Sequence, residues 1–271
     1  MATPAKKQVA QVNTWDKDLA DAAVDVMTQE QGSTGGNFFS LQSGILSFDG
    51  VTMPNNEMAV IILEGILENI LYKTLYDKDN PGAPDCYAFG RDQATIAPHE
   101  DVENPESDTC ALCPQNKWKS NPNGRGGKWC GNRRRLAIIS AGSFIGGQFQ
   151  ATTDPQHFSE ADIAYLKLPV MSVANYQGYV KQVGNALHRP PYAVFTKIKV
   201  VPDGDSQFRV TFDVLGKVPD ELRSVIEARH TQAVEEIEFP YAPMAEQPEP
   251  LPAQAVRAAG AKAAPVRKSK F

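Results

Sequence analysis

The chain is poor in several features whose absence is informative. No apolar run exceeds Met58–Leu63, far short of the ~20 residues that a membrane-spanning helix needs. The opening MATPAKKQVAQVNTWDKDLA has no apolar centre of the secretory type. No internal repeat appears at solenoid or propeller periods. Positive charge is not in excess: 27 Lys and Arg stand against 32 Asp and Glu, a net charge of −5, so the total alone does not mark a nucleic-acid binder. Cysteine is scarce, with four in 271 residues. These absences predict a cytoplasmic protein (the host cytoplasm if the chain is viral) with no membrane partner. Its thiols stay reduced there and read better as metal ligands than as disulfides.

What is present is an ordinary globular composition, 42% hydrophobic and 22% charged, long enough for one large domain or two modest ones. The charge is unevenly spread. Residues 1–251 carry −10, whereas the last 20 residues carry five basic groups and no acid. Residues 1–36 read as an N-terminal arm, with a short helix at Trp15, Leu19, Ala22 and Val26 behind a Thr14 cap. Asn37–Phe48 reads as strand and Asp49-Gly50 as a turn. In Glu57–Tyr76 the run Val60-Ile61-Ile62 followed by Gly65 predicts a bent strand pair. Between residues 77 and 135 aliphatics give way to Pro, Gly, Asn and all four cysteines. Such a stretch cannot build an apolar core of its own.

Beyond it, Ser159 with Asp162 predicts the start of a short helix. A second helix is expected over Pro169–Leu187, with Val173, Tyr176, Val180, Val183 and Leu187 on one stripe. Ala193–Val201 and Gln207–Leu215 form the clearest hairpin, around Pro202-Asp203-Gly204. Its polar face carries Phe195, Lys197, Lys199 and Arg209. A last amphipathic helix is expected over Asp220–Ile237, followed by a disordered basic tail at 240–271.

The strongest chemical signal is Cys86, the pair Cys110-Ala-Leu-Cys113, and Cys130. A C-x-x-C knuckle lets two thiolates reach one tetrahedral ion while remote chain supplies the other two. A structural zinc there supplies roughly 10–16 kcal/mol of folding free energy, which a core-poor stretch needs. His99 is an alternative to Cys86, although Pro84-Asp85-Cys86-Tyr87 looks like a rigid turn that positions a ligand. The competing readings are four unpaired buried thiols or disulfides. A catalytic zinc is disfavoured, since neither the deaminase H-x-E…P-C-x-x-C nor H-E-x-x-H occurs. Four protein ligands also leave no open coordination position. No catalytic residue and no enzymatic activity are therefore expected.

Around the cysteines lie Lys117, Lys119, Arg125, Lys128, Arg133, Arg134 and Arg135, with no acid between Cys110 and Arg135. Trp118 stands between two lysines. Cations for phosphates and flat faces for unstacked bases are what a single strand requires. A four-thiolate zinc is formally −2, so neutralisation accounts for two of these seven charges.

The segments PDCYAFGRD, TCALCPQNKW and GKWCGNRRRLAI, followed by a hairpin-bearing C-terminal half, resemble the zinc-containing single-stranded DNA-binding proteins of tailed bacteriophages. More loosely, they resemble the T-even phage helix-destabilising protein. The resemblance spans roughly residues 38–239. It implies a mainly β or α+β chain, an OB-like barrel with an inserted irregular zinc-binding lobe and peripheral helices. Residues 37–76 and 136–239 are then the core and 77–135 the lobe. It implies sequence-tolerant binding of single-stranded DNA in replication or recombination, with replication or recombination proteins as partners. It further implies that Tyr87, Phe89, Trp118, Lys119 and Arg133–Arg135 lie near a positive groove. The family usually ends in an acidic tail, and this chain ends in RKSKF. The rival expectation is a structural or interaction protein that docks partners through the lobe.

Overall fold

The computed structural model describes residues 37–73, 82–122 and 126–241. The expected N-terminal arm with its helix, Arg125, and the tail beyond Tyr241 lie outside the described residues.

The architecture is organised by one strand. Glu57–Leu71 forms the 15-residue β4, apolar on both faces and buried almost throughout. Continuous Val/Ile/Leu runs of this kind suit a strand covered on both sides. Before it come β1 (Phe38–Ser40), β2 (Ser47–Phe48) and β3 (Val51–Thr52). Asp49 and Gly50, both at positive φ, make the tight turn between β2 and β3 that a two-residue hairpin demands. After β4 come β5 (Cys86–Gly90), β6 (Gly131–Ile145) and β7 (Gln148–Ala151). The chain continues with helix α1 (Pro155–Glu160), β8 (Ala164–Leu168) and helix α2 (Val170–Leu187). The hairpin β9 (Val194–Asp203) and β10 (Gln207–Lys217) follows, and helix α3 (Arg223–Glu236) comes last.

The strands join in one mixed sheet of order β10-β9-β4-β6-β8-β1-β2-β3, with β5 also on β4 and β7 also on β6. Most neighbours are antiparallel; β1 lies parallel to β8. The chain is thus mainly β with few helices. Among the described residues the two ends of the sheet do not pair, so no closed barrel is formed by hydrogen bonds.

The expected strand pair in Glu57–Tyr76 is instead one strand. Register shifts against β6 at Ala59/Val60 and Ile62/Glu64 bend it without breaking it, as bulges do. Gly65 is required by packing: a Cβ there would stand 2.5 Å from the Tyr176 hydroxyl and 2.9 Å from Leu136. The short helix begins earlier than expected, because Asp154 caps it by accepting from the Gln156 N–H at 2.9 Å. Ser159 and Asp162 lie at and beyond its end. The second helix, the hairpin and the last helix fall where the periodicity predicts them.

Two apolar layers cover the sheet. On one face Met58, Val60, Ile62, Leu136, Ile138 and Leu166 pack beneath Tyr176, Tyr179 and Val183 of α2. On the other, Ile61, Leu63, Ile66, Ala137 and Ile139 pack beneath Phe158 of α1 and Ile226 and Ala233 of α3. A buried ion pair closes the second layer. Arg135, 1% exposed, donates to Glu68 Oε1 from Nε (2.9 Å) and Nη2 (2.6 Å). Its Nη1 donates to the carbonyls of Ile237 (3.0 Å) and Phe239 (2.8 Å). The guanidinium also lies 4.1 Å from the ring of Phe89 and 4.3 Å from that of Phe239.

Removing one member of such a pair leaves an uncompensated buried charge and costs about 3–5 kcal/mol. Arg135→Ala is therefore expected to lower unfolding free energy by about that amount in urea denaturation, with Glu68→Leu/Arg135→Met recovering most of it. A single-variant loss below about 1 kcal/mol, the range of an exposed pair, would show that the clasp is not structural.

Candidate nucleic-acid interface and metal centre

The two strands flanking β4 deliver two cysteines to one place. Cys86 opens β5 opposite Leu71, and Gly131 opens β6 opposite Ile70, one residue after Cys130. The knuckle is brought against them by backbone hydrogen bonds. The Cys110 N–H donates to Ile96 O (3.0 Å), and the Cys130 N–H donates to Gln115 O (2.9 Å). Cys113 precedes the 3-10 turn Pro114–Asn116. All four cysteines are free thiols and all four line one small cavity of about 20 Å³, about the space a single ion or water occupies.

The cavity carries donors suited to sulfur anions. Burial, set against the Glu106 backbone N–H, pushes the Cys86 thiol up. Burial pushes Cys110 up as well, opposed by the Asn69 amide, and pushes Cys130 up to about 12. Cys86 feels the charge of Cys113, Cys110 that of Cys86 and Cys113, and Cys130 that of all three others. A divalent cation inverts this balance and deprotonates coordinating thiols. Asn69 Nδ2 is buried without a partner at full hydrogen-bond geometry, and the Asn69 amide acts on the Cys110 thiol. Its Oδ1 accepts from Asn132 Nδ2 at 2.7 Å. Asn132 and Asn116 in turn accept from Lys128 Nζ (2.6 and 3.0 Å), and Asn116 donates to Cys110 O at 2.7 Å. Such a relay is what orients ligands from outside a metal site.

As they stand, among the described residues no three Cys, His, Asp or Glu side chains meet at ligating spacing. The shared cavity and the orphaned amide fit a four-thiolate ion after the sulfurs close on it. His99 does not line this cavity. It stacks on Tyr87 at 5.1 Å, and its Nδ1 accepts from the Asp101 N–H at 3.2 Å.

The basic candidates fare unequally. Lys117, Trp118 and Lys119 project from the lobe, Trp118 being 72% exposed. The projection is fixed: Ser120 Oγ donates to Gln115 O (2.8 Å) and accepts the Trp129 N–H (2.9 Å). Lys119 itself sits at φ +66°. Lys128 is tethered in the asparagine relay. The three consecutive arginines do not form one patch, because successive residues of a strand point to opposite faces. Arg134 faces Tyr176 of α2, while Arg135 on the other face is buried in the clasp. Arg133 is half-buried, its Nε without a partner.

Tyr87 (4% exposed), Phe89 (9%) and Phe195 (4%) are core residues, packed under the second layer rather than open to a strand. On the hairpin, Lys197 pairs with Asp213 (3.3 Å), Lys199 with Glu57 (3.0 Å) and Arg209 with Asp203 (3.8 Å). Each of these three cations has its own acid, so together they offer phosphates little net charge. A groove of about 1070 Å³ is lined by Phe39, Phe48, Asp49, Glu57, Phe144 and Asp162 among others, and by no Lys or Arg. Its electrostatics do not suit a polyanion.

One group escaped the sequence reading. Lys167 of β8 lies 4.4 Å from the ring of Phe38 and 4.3 Å from that of Tyr241. Burial, partly offset by Glu68, lowers it to about 8. These residues come from three remote segments, and no spacing in the chain joins them.

No family model, no curated protein and no solved structure matches this chain. Among the described residues no helix is long and apolar enough to cross a membrane.

If the four thiols close on zinc, purified protein should contain about one zinc per chain by atomic emission. Retention should rise with pH, because ligation displaces thiol protons. Asn69→Leu should weaken zinc by about 10–100-fold, as loss of an outer partner does. Metal-free preparations whose melting ignores both chelator and added zinc would sink the site.

Proposed function

We propose that this protein binds single-stranded DNA without sequence preference and without turnover, in replication or recombination, and that a structural zinc holds the lobe that makes the contact. The observation that carries this reading is Trp118, 72% exposed between Lys117 and Lys119 on a turn stitched by hydrogen bonds. Exposing an indole costs apolar hydration, and a flat face flanked by two ammonium groups matches an unstacked base flanked by phosphates. Neither lysine has a carboxylate at ion-pair distance among the described residues, unlike the hairpin cations.

The connectivity supports an OB-like reading. The strands β4, β6 and β8 form an antiparallel meander, α2 follows, and the hairpin β9–β10 returns to the free side of β4. The lobe is then the loop between the first two strands and Pro202–Ser206 the turn between the last two. Those are two of the loops with which OB-folds engage oligonucleotides. The departure is at the closure, where β1 rather than the hairpin lies along β8.

Leu112, 73% exposed on the same lobe, favours a second reading, a protein-docking surface, because nucleic acid has no use for an isolated aliphatic side chain.

Anisotropy of a labelled strand of about 30 nucleotides separates the two. Trp118→Ala is expected to weaken binding by about 1–3 kcal/mol. Lys117→Ala and Lys119→Ala are each expected to reduce the salt slope by about 0.7. Equal affinity for duplex, with indifference to Trp118, would favour docking instead.

A further inference from the structure

Beneath α2 lies a second groove, about 550 Å³, within the range of small-ligand sites. It is reached neither from the thiol cavity nor from the large acidic groove, whose linings share no residue with it. The pleat of β6 turns Arg134 into it, away from Arg133 and Arg135. Arg134 is half-buried, and burial pulls its guanidinium below the usual arginine range. Its Nη1 donates to Arg133 O at 3.2 Å, and among the described residues no carboxylate lies within ion-pair distance of it. Lys181, on the exposed side of α2, also lines the groove and has no ion pair there. Burying part of a guanidinium without a counter-charge is costly, and an anion in the groove removes that cost.

The one carboxylate in the lining, Glu64, is held by two other members of the lining, Gly65 and Arg91, and not by Arg134 or Lys181. Its Oε1 accepts from the Gly65 N–H at 2.7 Å and its Oε2 lies 3.5 Å from Arg91 Nε. Arg91 also pairs with Glu238. The same lining holds a flat surface. Tyr192 stacks on His230 with centroids 4.2 Å apart and planes 19° apart, and His230 is fixed by a 2.8 Å hydrogen bond between Nδ1 and Leu63 O. Unpaired cations and a rigid aromatic pair lining one groove are complementary to a ligand that carries an anion and a planar ring together.

We propose that this groove binds a nucleoside 5′-phosphate, its phosphate on Arg134 and Lys181 and its base on the Tyr192–His230 shelf. The ligand is either a free nucleotide or one unit of a longer strand. As a free-nucleotide site it stands or falls separately from Trp118 and the function proposed above; as a station for a longer strand it rests on that function.

The test titrates the full chain with dAMP, inorganic phosphate and a 30-nucleotide strand by calorimetry, in wild type, Lys181→Glu, Arg134→Gln and Trp118→Ala. Lys181→Glu changes an exposed helical side chain, so it keeps the test valid if Arg134→Gln proves unstable. Loss of a charge-assisted phosphate contact is expected to weaken dAMP about tenfold or more, with phosphate alone binding more weakly than dAMP and Trp118→Ala leaving dAMP unchanged. Weakening of dAMP marks a free-nucleotide site. Weakening of the strand alone by Lys181→Glu marks a station on the strand's path. Affinities for dAMP and the strand that both ignore Lys181→Glu would overturn the proposal, as would phosphate binding as tightly as dAMP.

Discussion

One charge inside the protein constrains much of what surrounds it. Arg135 carries a guanidinium into an almost water-free site, and a charge so placed must be paired and its donors satisfied. Glu68 on the neighbouring strand supplies the counter-charge, while Ile237 and Phe239 supply carbonyls from the segment after α3. Phe89, on the strand that begins with Cys86, supplies a ring. Sheet, lobe and C-terminal segment therefore meet at one side chain. The Tyr241 hydroxyl completes the arrangement by donating to Glu68 at 3.0 Å. Residues 237–241 are thereby held against the sheet.

The same strand geometry decides which charges remain available at the surface. A pleated strand cannot present three adjacent arginines to one ligand. Of Arg133–Arg135, one is spent in the core and one faces the groove under α2. Pairing disposes of the hairpin cations in the same way. What is left near the thiol cavity is a short, rigid, exposed Lys117-Trp118-Lys119. In a chain of net charge −5 the unpaired positive surface near the thiol cavity is thus local, and the field it sets up depends on position more than on total charge.

The zinc reading and the fold are linked through β4. It pairs with the strands that carry Cys86 and border Cys130, so the register that builds the sheet also sets two sulfurs beside its end. The lobe has little core of its own beyond Leu67, Ala88, Ile96 and Cys110. Backbone hydrogen bonds and the asparagine–lysine relay therefore bear much of its order. An ion on the thiols, as proposed, would add the term that such a segment lacks.

Much of this was legible in the chain. The helical stripe of Tyr176 and Val183, the alternation along the hairpin, and the abrupt loss of aliphatics between residues 77 and 135 are local patterns. Local backbone preference and side-chain period suffice to read them. The C-x-x-C spacing likewise announced where sulfur chemistry would gather. The positions of Phe89, Phe195 and Arg135 in the core were not legible. An aromatic or an arginine beside basic residues looks the same in sequence whether it faces water or a neighbouring strand. That choice is made by register between segments far apart in the chain. Glu68 meets Arg135 from 67 positions away along the chain, and Lys167 meets Phe38 and Tyr241 only after the sheet has formed. Sequence determined which elements form and which residue types cluster. Tertiary pairing alone decided which charges are buried, which are neutralised and which are free, because burial and counter-charge are properties of neighbours in space.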